Sequence, residues 1–443
     1  MSRHAEFKPT AVPFPAKQVG ETESRWDWVE PGVWTDRMLT ALDSGVKGGQ
    51  WFSLIDKVYR ERNLFAAFRK VAANDGVAGV DHVSIARFEQ RLRSNLSKLS
   101  EQLQDGSYRP QAIRRHYIPK PGSSEKRPLG IPTVRDRVVQ TALRNVLEPI
   151  FEKDFAEQSY GFRPGRGCKD ALCRVDALLK KGYTHVVDAD LKSYFDTIPH
   201  ERLMALIGNK ISDSRVLELI RMFLQQRVLD DLAAWTPEAG SPQGAAISPL
   251  LSNIYLDPLD HQMAEQGFEM IRYADDFVIL CRTREDAERA LAVVGQWTAQ
   301  AGLTLHPDKT HIVDAAEGDF DFLGYTFTRG YRYPRAKSLK KFKDTIRRTT
   351  KRQNGHSLPA IIARLNPTLR GWFEYFQHSQ PRTFEPLDGW IRMRLRSILR
   401  RRQKRKGRGR GWDHHRWKNA YFAERGLYSL RQAHVSACQS SLR

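Results

Sequence analysis

Two stretches of this 443-residue chain put carboxylates where a buried chemistry would need them. The first is Met270-Ile271-Arg272-Tyr273-Ala274-Asp275-Asp276-Phe277-Val278-Ile279-Leu280. Its apolar flanks read as short buried strands, and Ala274-Asp275-Asp276 reads as the tight turn of a hairpin. Neighbouring carboxylates in such a place are costly unless cations lie between them. The second stretch is His185-Val186-Val187-Asp188-Ala189-Asp190-Leu191. His185 to Val187 has the pattern of a buried strand, and Asp190 sits at its end, where a side chain reaches a cleft. Asp190, Asp275 and Asp276 together supply the oxygen-rich triad that a two-magnesium site requires. The bland alternative is that such Asp residues only favour bends and cap helices. That alternative suits Asp196 and does not suit Asp190.

Further residues fit a nucleotide chemistry around that triad. Phe195, five residues after Asp190, would lie against an incoming sugar and exclude a 2′-hydroxyl by volume. Gly240-Ser241-Pro242-Gln243-Gly244 is rich in small residues that let a strand of nucleic acid come close, and Gln243 carries the one amide there able to donate to a base or sugar. Arg114 to Pro132 reads as two short strands joined by a loop, on which Lys120 and Arg127 would face each other and grip a triphosphate. Arg163 and Arg166, in a glycine-rich stretch, would approach a phosphate backbone. Arg400, Arg401, Arg402, Lys404, Arg405, Lys406, Arg408 and Arg410 form a dense cationic run, expected to be flexible and to bind phosphates. Aromatic residues follow it, which suits stacking on single-stranded bases.

The elements that must position these residues divide the chain. Residues 1–50 read as a mostly extended leader that docks by Trp26, Trp28 and Trp34, with a short helix from Trp34 to Leu42. Residues 51–113 read as packing helices, one from Trp51 to Val71 and one carrying Phe88, Leu92, Leu96, Leu99 and Leu103. In 114–335, strands and helices alternate at uneven spacing, which predicts an α+β layer rather than a doubly wound sheet. There, Phe320 to Phe327 reads as one strand, with Gly324 permitting close backbone approach. Residues 336–402 are basic and helical, and 403–443 form a basic tail.

Composition bounds the function. The formal net charge of +21 points to a polyanionic partner. No apolar run approaches the ~18 residues that span a bilayer, so nucleic acid is expected and a membrane is not. The N-terminus lacks a secretory apolar segment, so a bacterial-type cytosol is expected. Four cysteines without a C-x-x-C pair predict neither a disulfide framework nor a Cys-based zinc site.

Taken in order, these segments resemble a group II intron-encoded reverse transcriptase/maturase. Lys120 to Gln140 is similar to the fingers motifs, Val187 to Ile198 to the first metal-binding block, and Gly240 to Leu256 to the SPQG block. Tyr273 to Asp276 is similar to the YxDD box, and Phe322 to Tyr325 to the last palm block. Residues 338–402 resemble the family's thumb, or maturase, domain, and the tail its DNA-binding region. The resemblance implies a right-hand polymerase of fingers and palm followed by a helical thumb. It implies Asp190, Asp275 and Asp276 as ligands of two Mg2+ ions, for which Mn2+ can substitute, and the Leu191 carbonyl as a further ligand. Lys120 and Arg127 are implied as triphosphate contacts, Phe195 as the sugar gate and Gln243 as a template or nucleotide contact. Lys309 is implied near the leaving pyrophosphate, and Phe322, Leu323 and Gly324 as nucleic-acid contacts. The implied partners are a group II intron RNA, a DNA target, an RNA template with its DNA primer, and dNTPs. The implied activities are splicing assistance and retrohoming by target-primed reverse transcription. Many relatives also carry a Cys-bearing HNH endonuclease domain, and the tail here does not resemble one, so the primer is expected from elsewhere. The rivals are a splicing-only maturase, a defence- or retron-like reverse transcriptase, and an RNA-dependent RNA polymerase.

Overall fold

The computed structural model describes residues 25–46, 48–119, 126–230, 233–409 and 411–440. Its strands, in chain order, are β1 (Ile113–Pro119), β2 (Lys126–Ile131), β3 (His185–Asp190), β4 (Val228–Asp230), β5 (Ala233–Trp235), β6 (Glu269–Tyr273), β7 (Asp276–Cys281), β8 (His311–Asp314), β9 (Asp319–Phe322), β10 (Tyr325–Thr328) and β11 (Tyr331–Pro334). Among the described residues they form sheets of order β2-β1-β4-β5, β6-β7-β3-β8 and β11-β10-β9. The fold is α+β.

The β6-β7-β3-β8 sheet is antiparallel throughout. Its apolar residues alternate between two cores, as a pleated strand requires. Val187, Ala189, Phe277 and Ile279 enter a large core built on the helices Val134–Glu152, Ser248–Glu265 and Arg284–Gln300. Thr133 and Thr283 cap two of these helices by accepting from the N–H groups of Asp136 and Asp286. Val186, Ile271, Val278 and Leu280 enter a smaller core with the Cys168–Lys180 helix and the aromatic residues of β9 and β10. Burial on both faces explains why β7 reads as a continuous apolar run.

Residues 1–24 of the expected leader lie outside the described residues, and the described remainder docks by its tryptophans. Trp26 and Trp34 are buried in the large core, and Trp34 Nε1 donates to the Asn145 carbonyl (3.0 Å). The short helix covers Asp36–Ser44. The helix expected from Trp51 to Val71 is instead two, Ile55–Tyr59 and Glu61–Ala73, because Arg60 takes an extended ψ of 127°. The next stretch divides similarly into Ile85–Glu89 and Leu92–Asp105. Phe320 to Phe327 is a hairpin rather than one strand. Phe322 pairs with Tyr325, and the intervening Leu323 and Gly324 have φ of 47° and 79°. Two positive φ values make the primed turn that matches strand twist.

The helices Ala336–Thr349, Leu358–Phe376 and Phe384–Arg402 enclose a third core that includes Ile346, Leu369, Phe384 and Ile391. Trp417, Phe422 and Leu430 belong to that same core. Residue 402 therefore does not separate a packed domain from a free tail, since the aromatic residues beyond it fold back. No helix among the described residues is long and apolar enough to cross a membrane.

Candidate active site

The hairpin predicted around the Asp pair is present with a shorter turn. Ala274 and Asp275 form the loop, and Asp276 opens β7 opposite Tyr273. Ala274 has φ of 60°, a conformation that costs a residue with a Cβ of order 1–3 kcal/mol unless its surroundings enforce it. They do so here. Arg272, wholly buried, donates from Nη1 to the Ala274 carbonyl (2.9 Å) and to Asn253 Oδ1 (3.1 Å), and from Nε to Asp260 (2.7 Å). Asn253 donates onward to the Gly161 carbonyl (2.8 Å). A Cβ on Gly161 would stand 2.3 Å from the Ala274 nitrogen, so the backbone under the turn has room only for glycine.

β3 runs beside β7 in the register that sets Asp190 directly opposite Asp276. Cross-strand partners lie about 4.5–5.5 Å apart at Cα and share a face. The chain past β3 is fixed by the segment before β8. His306 N donates to the Asp190 carbonyl (2.8 Å) and Lys192 N to the Thr304 carbonyl (2.9 Å). Leu191 bridges Leu305 through these flanking groups, so the Leu191 carbonyl takes no part in that ladder.

The carboxylates resist ionisation together. Asp276 is pushed up to about 7, first by burial and then by Asp188, Asp275 and Asp190. Asp188 is pushed up to about 6, chiefly by burial, with His311 opposing the shift. Asp275 is raised by burial and by Asp190. The Asp190 carboxylate pairs with the Lys309 ammonium. Among the described residues, no three His, Cys, Asp or Glu side chains stand so placed that they could hold a metal ion. The donor chemistry nevertheless fits a divalent cation: hard oxygen ligands, crowded and deprived of water, lack the positive charge that would let all of them ionise.

Sequence reasoning gave Asp188 no part in this cluster. The signal was available, since residues two apart on a strand share a face. Nothing in the sequence pointed to Arg272 and Asp260, whose pairing joins a strand to a helix in the buried core. Asp321 and Arg335 form an ion pair (2.7 Å), and both act electrostatically on Asp188.

A cleft of about 550 Å³ is lined by Phe195, Asp196, Arg115, Trp235, Gly240 and Gln243, among others. It brings Phe195 and Gln243 together. The Gln243 carbonyl accepts from Gly130 N (2.7 Å), tying this loop to β2. Arg127 lies opposite Ile118 in the β1–β2 hairpin, and its charge lowers the proton affinity of Asp275 and Asp196. Lys120 and Arg410 lie outside the described residues.

Three expected nucleic-acid contacts are structural instead. Arg163 is buried. It pairs with Glu152 (2.7 Å) and donates to the carbonyls of Ala156 (2.6 Å) and Ser159 (3.0 Å), so its guanidinium is committed inside the fold. Phe322 is buried in the smaller core, leaving Leu323 and Gly324 at the turn. Arg400 donates to the carboxylate of buried Asp413 (2.5 Å) and to the Lys406 carbonyl (2.9 Å), which pins the start of the basic run. Arg166 is half-buried, donating to the Glu157 carbonyl (2.6 Å) and lying over the Tyr160 ring. Arg401, Arg402, Lys404, Arg405, Lys406 and Arg408 are exposed, although Arg402 also donates to the His356 carbonyl.

Comparison with known proteins places this site in a family. Residues 118–327 match the model for reverse transcriptase (RNA-dependent DNA polymerase), and residues 339–421 match the group II intron, maturase-specific domain. The second match runs past residue 402, as the shared core does. The chain is 35% identical over 290 residues to protein YkfC of Escherichia coli (strain K12), covering 57% of this chain and 76% of that protein. It is 38% identical over 199 residues to the group II intron-encoded protein LtrA of Lactococcus lactis subsp. cremoris, covering 44% of this chain and 32% of that protein. It is 27% identical over 323 residues to a putative COX1/OXI3 intron 1 protein of Saccharomyces cerevisiae, spanning 38% of that relative. The chain thus covers three quarters of one relative and about a third of the other two. It belongs to the reverse transcriptases of group II introns, with a polymerase domain followed by a maturase-specific domain.

Proposed function

We propose that this protein copies RNA into DNA by a two-metal mechanism, and that it binds a group II intron RNA, assisting its splicing and its insertion into DNA. The observation that carries the reading is the register setting Asp190 opposite Asp276, with Asp275 beside them on the braced turn. Asp190, Asp275 and Asp276 would hold a pair of Mg2+ ions, with the Leu191 carbonyl as a further oxygen donor. When bound, such ions lower the pKa of the primer 3′-hydroxyl and neutralise charge developing on the attacked phosphate.

The protein's own groups position the reactants. Phe195 presents a ring to the nucleotide sugar, and the Gln243 amide meets the base or template in the same cleft. Arg127 and Lys120 take the triphosphate oxygens. Lys309, more than half exposed and paired with Asp190, would meet the departing pyrophosphate. Leu323 and Gly324 support the primer end. The helical region after residue 335 and its exposed basic residues bind intron RNA, with the steep salt dependence of phosphate contacts.

The test compares two activities in one variant. Asp275→Asn replaces a charged ligand with a neutral amide, which cannot serve between two cations. The expected outcome is loss of RNA-templated primer extension while intron RNA still binds. Extension at the wild-type rate would refute the polymerase site. Wild-type splicing support in the same variant would show that the two activities separate.

A further inference from the structure

The turn at Leu323 and Gly324 is held from outside its own sheet. Leu323 has φ of 47°, a conformation that a leucine does not favour. The Tyr375 hydroxyl, from the Leu358–Phe376 helix, donates to the Leu323 carbonyl (2.7 Å). The Tyr375 carbonyl in turn accepts from the Tyr325 hydroxyl (2.6 Å), so one residue fixes both sides of the turn. The adjoining Gly324 carbonyl accepts from Arg335 N (2.9 Å), just before the next helix. Both carbonyls of the turn are thus held by residues that follow β11. The Tyr375 ring stacks on Tyr325 (6.1 Å between centroids), while about a third of the residue stays exposed. Tyr375 therefore holds this strained hairpin turn directly, from a helix beyond β11.

We propose that Tyr375 is a positioning residue for DNA synthesis: its hydroxyl keeps the Leu323–Gly324 turn in the conformation that seats the primer end, coupling the maturase region to the polymerase site. This rests on the polymerase reading above. Removing the hydroxyl leaves the ring stacking in place, so the turn loses its clamp without a cavity being opened.

The experiment measures the affinity of the full chain for an RNA template–DNA primer duplex by fluorescence anisotropy, alongside steady-state extension. Tyr375→Phe is expected to weaken duplex binding by about fivefold, the change that one net hydrogen bond makes. The KM for dNTP is expected to stay at its wild-type value. Arg332→Gln is the control, because Arg332 Nε donates to the His378 carbonyl (2.6 Å), another bond between the same two regions but away from the turn. A purely structural role would make the two variants shift duplex affinity alike, and that result overturns the proposal, as does wild-type affinity in Tyr375→Phe. An inactive wild-type chain would count against the polymerase reading, whereas the affinity comparison decides the role of Tyr375 without any synthesis.

Discussion

Replacing Asp276 with asparagine should stabilise the metal-free protein, although it removes a proposed ligand. Burial and three neighbouring carboxylates take Asp276 from its ordinary 3.8 to about 7. A carboxylate raised in this way contributes stability that is fully present below about pH 4. That contribution is lost as pH rises to about 7, because the unfolded chain gives up its proton first. At ~1.4 kcal/mol per tenfold change in proton affinity, the loss is at most ~4 kcal/mol. Solvent reaching the partly exposed cluster reduces this to roughly 1–3 kcal/mol. An amide stays neutral and escapes the loss. Thermal melts in EDTA should therefore show Asp276→Asn unfolding a few degrees above wild type at pH 8, with the gap about halved at pH 5.5 and gone by about pH 4. Added Mg2+ should raise the wild-type melting temperature at pH 8 more than at pH 6, since its ligands must be deprotonated, and should do little for the variant. The reasoning fails if the variant melts at or below wild type in EDTA at pH 8, or if Mg2+ stabilises both proteins equally.

Gly161→Ala should cut the extension rate by about 100-fold, because its Cβ would meet the backbone of the Ala274 turn and displace the carboxylates by a fraction of an ångström or more; single-turnover extension at the wild-type rate would show that the turn tolerates the shift. Arg163→Ala should lower stability by about 3–5 kcal/mol, since it leaves Glu152 buried without its partner. Its folded fraction should bind RNA as wild type does, and a filter-binding titration showing weakened RNA affinity with an unchanged melting temperature would restore Arg163 as a phosphate contact.

The parts of the site that could be read from sequence are those encoded by short-range pattern. Short continuous apolar runs located β3, β6 and β7, and the Asp residues at their ends then had one place to meet. The hidden parts depend on distant pairing. Arg163 in a glycine-rich stretch looks like any phosphate-binding arginine, and only the fold brings Glu152 to it. Arg400 reads as the start of a solvated run until Asp413 folds back beneath it. Phe322 sits in a motif that implies contact with nucleic acid, yet strand alternation turns it inward with Phe320 and Phe327, so only the turn residues after it stay near the surface. Helix breaks at Arg60 and Arg91 went unseen because the apolar stripe continues across them.

Two hairpin turns, at Ala274 and at Leu323, share a device and differ in where the brace comes from. Each places a residue with a Cβ at positive φ, Ala274 in one and Leu323 in the other, and each has the carbonyl of that residue held by a side-chain donor. For Ala274 the donor is Arg272, anchored on Asp260 within the same core, so the Asp pair is set by the palm alone. For Leu323 the donor is Tyr375, from a helix whose neighbours belong to the core of the maturase region. Strain of this kind persists only while its brace does. The carboxylates are accordingly fixed once their own core folds, whereas the turn proposed to seat the primer depends on how the C-terminal helices are seated, which is the part of the chain proposed to bind the intron.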